Sequence, residues 1–262
     1  MARLAPNDAF NPDIMAQPVT GIASRLIQHD SGLHSHGRGQ LLFAHAGSIR
    51  LAMPGLLAVL PPIRVAWIPP GTEHRVLIRG EVEYRSIYLD PVRIAAPAAG
   101  PAILSMTPLL REVFERISLE PFDTDWSAGA PRNLLAVCMD ELRLARQEPM
   151  LLPVPADRRL AGLDLEELPP ELDALSARVG ASARTITRIF QRETGMSYQA
   201  WRQLWRLLRA VDLLAAGQSV TAVAFDLGFA SDSAFIAYFR QMTGETPGRY
   251  LAPAHKPQAV FR

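Results

Sequence analysis

The chain is almost devoid of cysteine and lysine. Its single cysteine, Cys138 of 262 residues, excludes a disulfide framework and any zinc site built on several thiolates, and suits a reducing compartment. Lysine occurs once, at Lys256, so 26 of the 27 basic residues are arginine. Arginine makes forked contacts to carboxylate, phosphate or guanine, although genomic base composition produces the same bias. Aromatic residues are sparse at 7%, and charge nearly cancels, with 26 acidic residues leaving a net +1. That balance excludes nucleic-acid binding by bulk charge but not by a local basic surface. No apolar run approaches the ~18 residues a membrane span needs, and no basic-then-apolar signal opens the chain. These absences predict a soluble, cytoplasmic protein with no membrane partner. What is present, 48% hydrophobic and 20% charged residues, is a globular composition, and the length is about twice that of one domain.

Residues 1–20 hold three prolines and little pattern, and read as an N-terminal arm. From Gly21 to Leu89 the apolar periodicity is near two. Short segments (Ile22–Ile27, Gln40–Ala46, Ile49–Met53, Leu56–Leu60, Arg64–Ile68, Arg75–Ile78, Val82–Leu89) alternate with turn formers such as Pro54-Gly55, Pro69-Pro70-Gly71 and Arg79-Gly80. Short strands at that spacing predict an antiparallel barrel or sandwich over residues 21–95. Beyond Pro91 the period changes. Pro108–Leu119 and Arg132–Arg146 place apolar residues at helical spacing, so residues 96–150 read as a helical linker with a dimerisation surface. Pro149–Pro155 predicts a hinge, followed by an all-helical region over 156–255.

That region contains a repeat. Ile189–Ser197 aligns with Tyr238–Thr246, Trp201 with Tyr250, and Gly180 with Gly228. Each copy reads as helix, tight turn, helix. Leu172–Val179 is turned by Gly180, and Ser182 caps a helix to about Thr194. Ser219 caps Val220–Leu227, Gly228 turns, and Ser231 caps a helix to about Thr243. The layout is that of two helix-turn-helix units, whose second helices enter the DNA major groove. Between them Trp201, Leu204, Trp205, Leu208, Val211 and Leu214 form one stripe of a helix over Tyr198–Ala216, about 28 Å long. The charge divides accordingly, with residues 1–155 at net −1 and residues 174–262 at net +6.

Ala224-Phe225-Asp226-Leu227-Gly228-Phe229-Ala230-Ser231, followed by Phe235, Phe239, Gly244, Thr246-Pro247 and Tyr250, resembles the tail pattern of the AraC/XylS family of transcription regulators. The likeness covers about residues 158–252. It implies a DNA-binding domain with two helix-turn-helix units, binding promoter DNA, with RNA polymerase as a further partner. The base-facing positions it implies are Arg184, Thr187 and Arg188 in the first unit, where Ser182 is a further DNA-binding candidate, and Asp232, Ser233, Ala234 and Ala237 in the second. Arginine forks to guanine and threonine meets a thymine methyl. The second set is short and partly acidic, so the first unit is expected to supply most direct readout. Arg202, Arg206, Arg209, Arg240 and Arg249 are candidate phosphate contacts. One departure is plain: Asp157–Pro170 should hold a helix packed on the first unit, yet Pro169-Pro170 interrupts it.

In the N-terminal half, His34-Ser35-His36 puts two imidazoles on one side of an extended segment. Gln40 and Gly47 follow, then Pro69-Pro70-Gly71-Thr72-Glu73-His74. These segments resemble the two motifs of a cupin barrel, which implies His34, His36, Gln40 and His74 as candidate metal ligands. Three imidazoles suit Zn, Ni, Fe or Cu, while Gln40 stands where a carboxylate is usual. Trp67, Tyr84 and Tyr88 are the candidate lining of an effector pocket in the barrel. The expected architecture is therefore α+β with two domains: a cupin-like antiparallel barrel with flanking helices, then an all-α DNA-binding domain. A homodimeric, non-enzymatic regulator responding to a small molecule or metal is the leading expectation. The alternative is a metal-dependent cupin enzyme with a helical accessory domain.

Overall fold

The computed structural model describes residues 10–148 and 150–251. Residues 1–9 of the expected arm, Pro149 of the expected hinge, and residues 252–255 of the expected C-terminal domain lie outside the described residues. Eight strands alternate their side chains between two apolar environments: β1 (Val19–Asp30), β2 (Gly39–Ala46), β3 (Ile49–Met53), β4 (Leu56–Leu60), β5 (Arg64–Ile68), β6 (Arg75–Leu89), β7 (Ala102–Ser105) and β8 (Leu151–Pro153). All pair antiparallel in the order β7-β5-β2-β6-β3-β4-β8, with β1 running along β6. Leu42, Ala44, Ile49, Leu51, Ala66 and Ile68 face the interior of a nearly closed barrel. Their neighbours Leu41, Phe43, Val65 and Ile87 face outward, beneath α1 (Pro108–Leu119) and α2 (Gly129–Leu144). The Thr107 hydroxyl caps α1, accepting from Leu110 N at 3.0 Å.

Three boundaries differ from the sequence expectation. The turn at Arg79-Gly80 is absent, because β6 continues through it. Its first residues pair with β3 and Glu83–Leu89 with β2, so one strand joins the two halves of the barrel. Gly80 (φ +142°) supplies the bend, opposite a bulge in β1 where Gln28 adopts φ +56°. Residues 96–150 are not purely helical, since β7 pairs with Arg64–Trp67 of β5. The hinge at Pro149–Pro155 is also absent where the structure describes it. Leu151–Pro153 forms β8 against Leu56–Ala58, and Leu152 is fully buried. Proline is tolerated there because β8 lies at the end of the strand order and needs few ladder donors.

The C-terminal helices are α3 (Leu172–Val179), α4 (Ala183–Thr194), α5 (Tyr198–Ala215), α6 (Val220–Asp226), α7 (Asp232–Thr243) and α8 (Pro247–Leu251). Gly180 turns α3 into α4 with φ +63°, a left-handed conformation that glycine adopts without strain. The helix expected within Asp157–Pro170 reduces to one 3-10 turn, Arg158–Leu160. The rest is an irregular strap laid on α5. Trp205 Nε1 donates to Leu165 O at 3.0 Å, Arg202 Nε to Pro169 O at 2.6 Å, and Tyr198 Oη to Pro170 O at 2.7 Å. Pro169-Pro170 cannot continue a helix, and these side-chain donors satisfy the carbonyls instead. The barrel interior and the C-terminal helices form one continuous apolar core.

Close packing of β1 on α1 yields a test. A Cβ built on Gly21 would lie 2.3 Å from Ile117 O, a backbone atom, whereas Gly100 has open space. Gly21→Ala is expected to destabilise by about 1–3 kcal/mol and Gly100→Ala to be near neutral, as measured by denaturant unfolding.

Candidate functional site

The two helix-turn-helix units present the residues that sequence pattern singled out. On α4, Ile186, Ile189 and Phe190 are buried, which turns Arg184, Thr187 and Arg188 to solvent. Ser182 caps the helix by accepting from Thr185 N at 3.2 Å. Thr187 Oγ1 donates back to Ala183 O at 2.9 Å. Its hydrogen is thereby used within the helix. Arg184 and Arg188 have no ion pair or hydrogen bond to another described residue, so both guanidiniums are free to meet a ligand.

On α7, Phe235 and Phe239 are buried, while Ser233, Ala234, Ala237 and Arg240 are exposed. Asp232 is half-buried and accepts from Thr221 Oγ1 at 2.6 Å, which ties the two helices of the second unit together. The linker helix α5 has 18 residues and so spans about 27 Å.

Three of the expected phosphate contacts are corrected, because their guanidiniums are engaged within the protein. Arg202 is 5% exposed and bonded to Pro169 O and to Glu171 at 2.8 Å. Arg206 lies over the Phe229 ring, 5.0 Å from its centroid, and burial lowers its pKa. Arg209 pairs with Asp212 at 3.1 Å at the junction with the barrel. All three lie on α5 faces that pack on protein, because Leu207, Ala210 and Leu213 are buried as well as Trp201, Leu204, Trp205, Leu208 and Val211 of the expected stripe, whose last member Leu214 is half-buried. Arg240 and Arg249 remain exposed.

In the barrel, His34, His36 and His74 converge, with one ring nitrogen from each lying within 4.8 Å of the others. The backbones of His34 and His74 exchange hydrogen bonds at 3.0 and 2.8 Å, which fixes two of the rings side by side. Each Nδ1 faces a carbonyl: His34 to Gly32 O at 3.1 Å, His36 to Arg38 O at 2.6 Å, His74 to Thr72 O at 2.9 Å. A proton on Nδ1 leaves an Nε2 lone pair on His34 and on His74, whereas both ring nitrogens of His36 face carbonyl oxygens, Arg38 O and Gln40 Oε1. Burial pushes the His74 imidazole down to about 4, so it is neutral at neutral pH, and its buried Nε2 has no partner.

Gln40 reaches His36 Nε2 at 3.2 Å on one side. On the other side its amide meets Ser86 Oγ at 2.9 Å, Tyr88 Oη at 3.2 Å and Tyr84 Oη at 3.3 Å. Burial raises the pKa of both phenols, keeping them as neutral hydroxyls. Ser86, fully buried, belongs to this polar cluster although no motif in the sequence marks it. Its place between Tyr84 and Tyr88 at period two was the available signal.

Trp67 does not share the pocket expected for it. It pairs with Leu41, whereas Tyr88 pairs with Gln40, so alternation turns it to the outer face beneath the helices. There its indole donates to Ala98 O at 3.0 Å.

The barrel and helical domain meet through charges that no motif signalled. Arg50 on β3 bonds Asp212 in the last turn of α5 at 2.5 Å and Glu166 of the strap at 2.6 Å. Arg79 Nη1 bonds Glu166 at 2.6 Å, and Ser48 Oγ donates to Asp212 at 2.7 Å. Burial opposes the charge of Arg50, yet the two carboxylates outweigh it and raise its pKa.

Residues 175–252 match the family described as helix-turn-helix domain, and residues 17–124 match the AraC-like ligand binding domain. The HTH-type transcriptional regulator NimR of Escherichia coli (strain K12) is 32% identical over 227 residues, covering 85% of this chain and 82% of that protein. The chain belongs to the AraC family of transcription regulators. Among solved structures, ToxT of Vibrio cholerae aligns over 90% of this AraC-family chain and 98% of its own, at 10% identity and TM-score 0.37. The DNA-binding domain of AdpA in complex with a target DNA aligns over 37% and 90%, at 35% identity and TM-score 0.34. By its two family matches and its 32% identical relative, the AraC-type regulator is a DNA-binding protein with an N-terminal ligand-binding domain. Among the described residues no helix is long and apolar enough to cross a membrane.

Burial of Arg202 separates stability from DNA binding. Arg202→Ala leaves Pro169 O without its donor and is expected to cost about 1–3 kcal/mol of stability. The slope of log affinity for DNA against log salt stays unchanged, because no phosphate contact is removed. A reduced slope would return Arg202 to the DNA surface.

Proposed function

We propose that this regulator reads its operator chiefly through the first helix-turn-helix unit and is controlled by a ligand held inside the barrel. The free, exposed guanidiniums of Arg184 and Arg188 on α4 carry the first part. They are the long forked donors on a recognition face, and each suits guanine O6 and N7 in the major groove, with Ser182 and Thr187 beside them. The second unit, through Asp232, Ser233, Ala234 and Ala237, contributes close positioning and methyl contacts, and Arg240 and Arg249 meet phosphate. The outward faces of α1 and α2, where Leu109, Val137 and Leu144 stay exposed, are the surface we assign to a homodimer.

For the sensor, Gln40, Ser86, Tyr84 and Tyr88 form a polar patch in an apolar barrel, the chemistry that orients a small organic effector. His34, His36 and His74 next to it fit a divalent transition metal (Zn, Ni, Fe or Cu). The donor set is three imidazoles whose Nδ1 atoms face carbonyls, and the buried Nε2 of His74 has no protein partner. Gln40 would be a neutral fourth ligand. A bound metal would act there as a Lewis acid toward an effector oxygen. We assign the barrel a sensing role and no turnover, in keeping with a chain whose relatives are transcription regulators.

Titrating the full-length protein with DNA flanking its own gene, at several salt concentrations, tests the first part. Arg184→Ala and Arg188→Ala are each expected to lower specific binding by about 1–3 kcal/mol without altering affinity for random DNA to the same degree. Unchanged site preference in both would move readout elsewhere. For the sensor, elemental analysis of protein purified without an affinity tag is expected to find metal that His74→Ala loses. Absence of metal in the parent would leave the imidazoles as polar groups of the effector pocket.

A further inference from the structure

The junction between the barrel and the helical domain contains a cavity of about 170 Å³, separate from the polar patch inside the barrel. It is lined by Ser48, Arg50, Leu77, Arg79, Arg209 and Asp212, with Leu213 and Ala216 completing its wall. Three guanidiniums therefore surround it. The carboxylates that contact them are Asp212 and Glu166, so these five groups leave one positive charge in excess.

The two acids are not equivalent. Asp212 is half-buried in the last turn of α5 and is held by Arg50, Arg209 and Ser48. Glu166 is exposed, and it sits on the irregular strap between the 3-10 turn and α3. Its carboxylate bridges Arg50 Nη1 and Arg79 Nη1 from outside the cavity lining, each at 2.6 Å. These guanidinium contacts lower the Glu166 pKa against the opposing effect of its burial. It occupies its partners as the carboxylate of a ligand would.

We propose that this cavity is a binding site for a small organic carboxylate, and that Glu166 is an internal competitor for one of its arginines, Arg79. The carboxylate pairs with Arg79 and Arg209, whose side chains are 60% and 27% exposed and so within reach of an entering solute. Leu77, Leu213 and Ala216 give a short apolar wall for its hydrocarbon body. A cavity of this size takes a short chain and not a long lipid tail.

Displacing Glu166 loosens the strap that Trp205 Nε1 holds through Leu165 O, one residue away. Occupancy is therefore linked to the surroundings of α5, the helix that joins the two DNA-binding units. The site lies outside the barrel interior, so it stands or falls independently of the effector patch and the metal.

The experiment uses the full chain, with hexanoate, hexanol and inorganic phosphate as probes. Binding is followed by calorimetry and by tryptophan fluorescence, with Trp205→Phe assigning the signal. Hexanoate is expected to bind, hexanol not to bind, and phosphate to bind at least about fivefold more weakly because it gains nothing from the apolar wall. Glu166→Gln is expected to tighten hexanoate binding about 5–10-fold, the size of an ordinary coupling between competing ligands. Arg79→Gln is expected to weaken it by a similar factor.

Equal binding of hexanol, or of phosphate, overturns the assigned ligand class. Unchanged or weaker hexanoate binding in Glu166→Gln overturns the role of Glu166, provided its near-ultraviolet circular dichroism matches the parent. Glu166→Asp, which shortens the side chain and keeps the charge, covers the case where the glutamine variant does not fold. It is expected to tighten binding by less than Glu166→Gln, and no tightening overturns the competition.

Discussion

Burial of the linker helix α5 is the constraint on which the rest of the molecule depends. A helix exposed on one face needs a single apolar stripe, but α5 buries Trp201, Leu204, Trp205, Leu208 and Val211 and, on further faces, Leu207, Ala210 and Leu213. It serves three surfaces at once: the first helix-turn-helix unit, the second, and the β4–β8 edge of the barrel. Trp201 shows how these demands meet. Its ring packs on Phe190 of α4 at 5.1 Å, while its Nε1 donates at 2.6 Å to Pro153 O of β8. Moving α5 relative to the barrel would leave that carbonyl and that indole unpaired, a cost of about 1–3 kcal/mol for each buried group left unsatisfied.

Electrostatics at the far end of α5 reinforce the same attachment. Asp212 stands in the last turn, where the helix dipole disfavours an acid and no basic residue is present to offset it. Arg50, Arg209 and Ser48 supply the compensation, and two of those three belong to the barrel. The preference of α5 for its present ending is therefore a preference for the docked barrel. This is the structural requirement for allostery in such a protein: a ligand can shift DNA binding only through contacts that differ between domain arrangements. The charged junction joins the two domains, and the barrel interior reaches it through β3, where Leu51 faces inward and Arg50 outward on adjacent residues.

Much of this was legible from period and punctuation. Ser182, Ser219 and Ser231 cap the helices they were expected to cap, and Gly180, Gly195 and Gly244 end theirs in left-handed conformations. Local chemistry determines those features, so a local pattern reveals them. Three-dimensional proximity determines the features that were missed. Leu151–Pro153 has the composition of a linker and becomes a strand because Leu56–Ala58 offers an unpaired edge. Arg202 has the spacing of a solvent-facing cation and becomes a core residue because Pro169-Pro170 leaves carbonyls that need a donor. Arg50 and Asp212 are 162 residues apart, and nothing in either neighbourhood announces the other. Trp67 was misplaced by a single step of strand register, which is enough to turn a side chain from the barrel interior to its outer face.

Net +6 over residues 174–262 is not spread evenly on the recognition surfaces. Arg202, Arg206 and Arg209 are consumed in holding α5, which leaves Arg184 and Arg188 exposed on α4 and Arg240 on α7. The two recognition helices are thus unequal in reach. Arginines can span several ångströms to a base edge and tolerate an imperfect approach. Short side chains such as Ser233, Ala234 and Ala237, exposed on α7, would reach a groove only where the backbone itself comes close to it. A short-reach helix is useful only if its distance from the long-reach one is fixed to about an ångström, because a methyl contact weakens sharply over that displacement. The heavy burial of α5 supplies that rigidity, and it explains why arginines suited to phosphate are spent inside the protein.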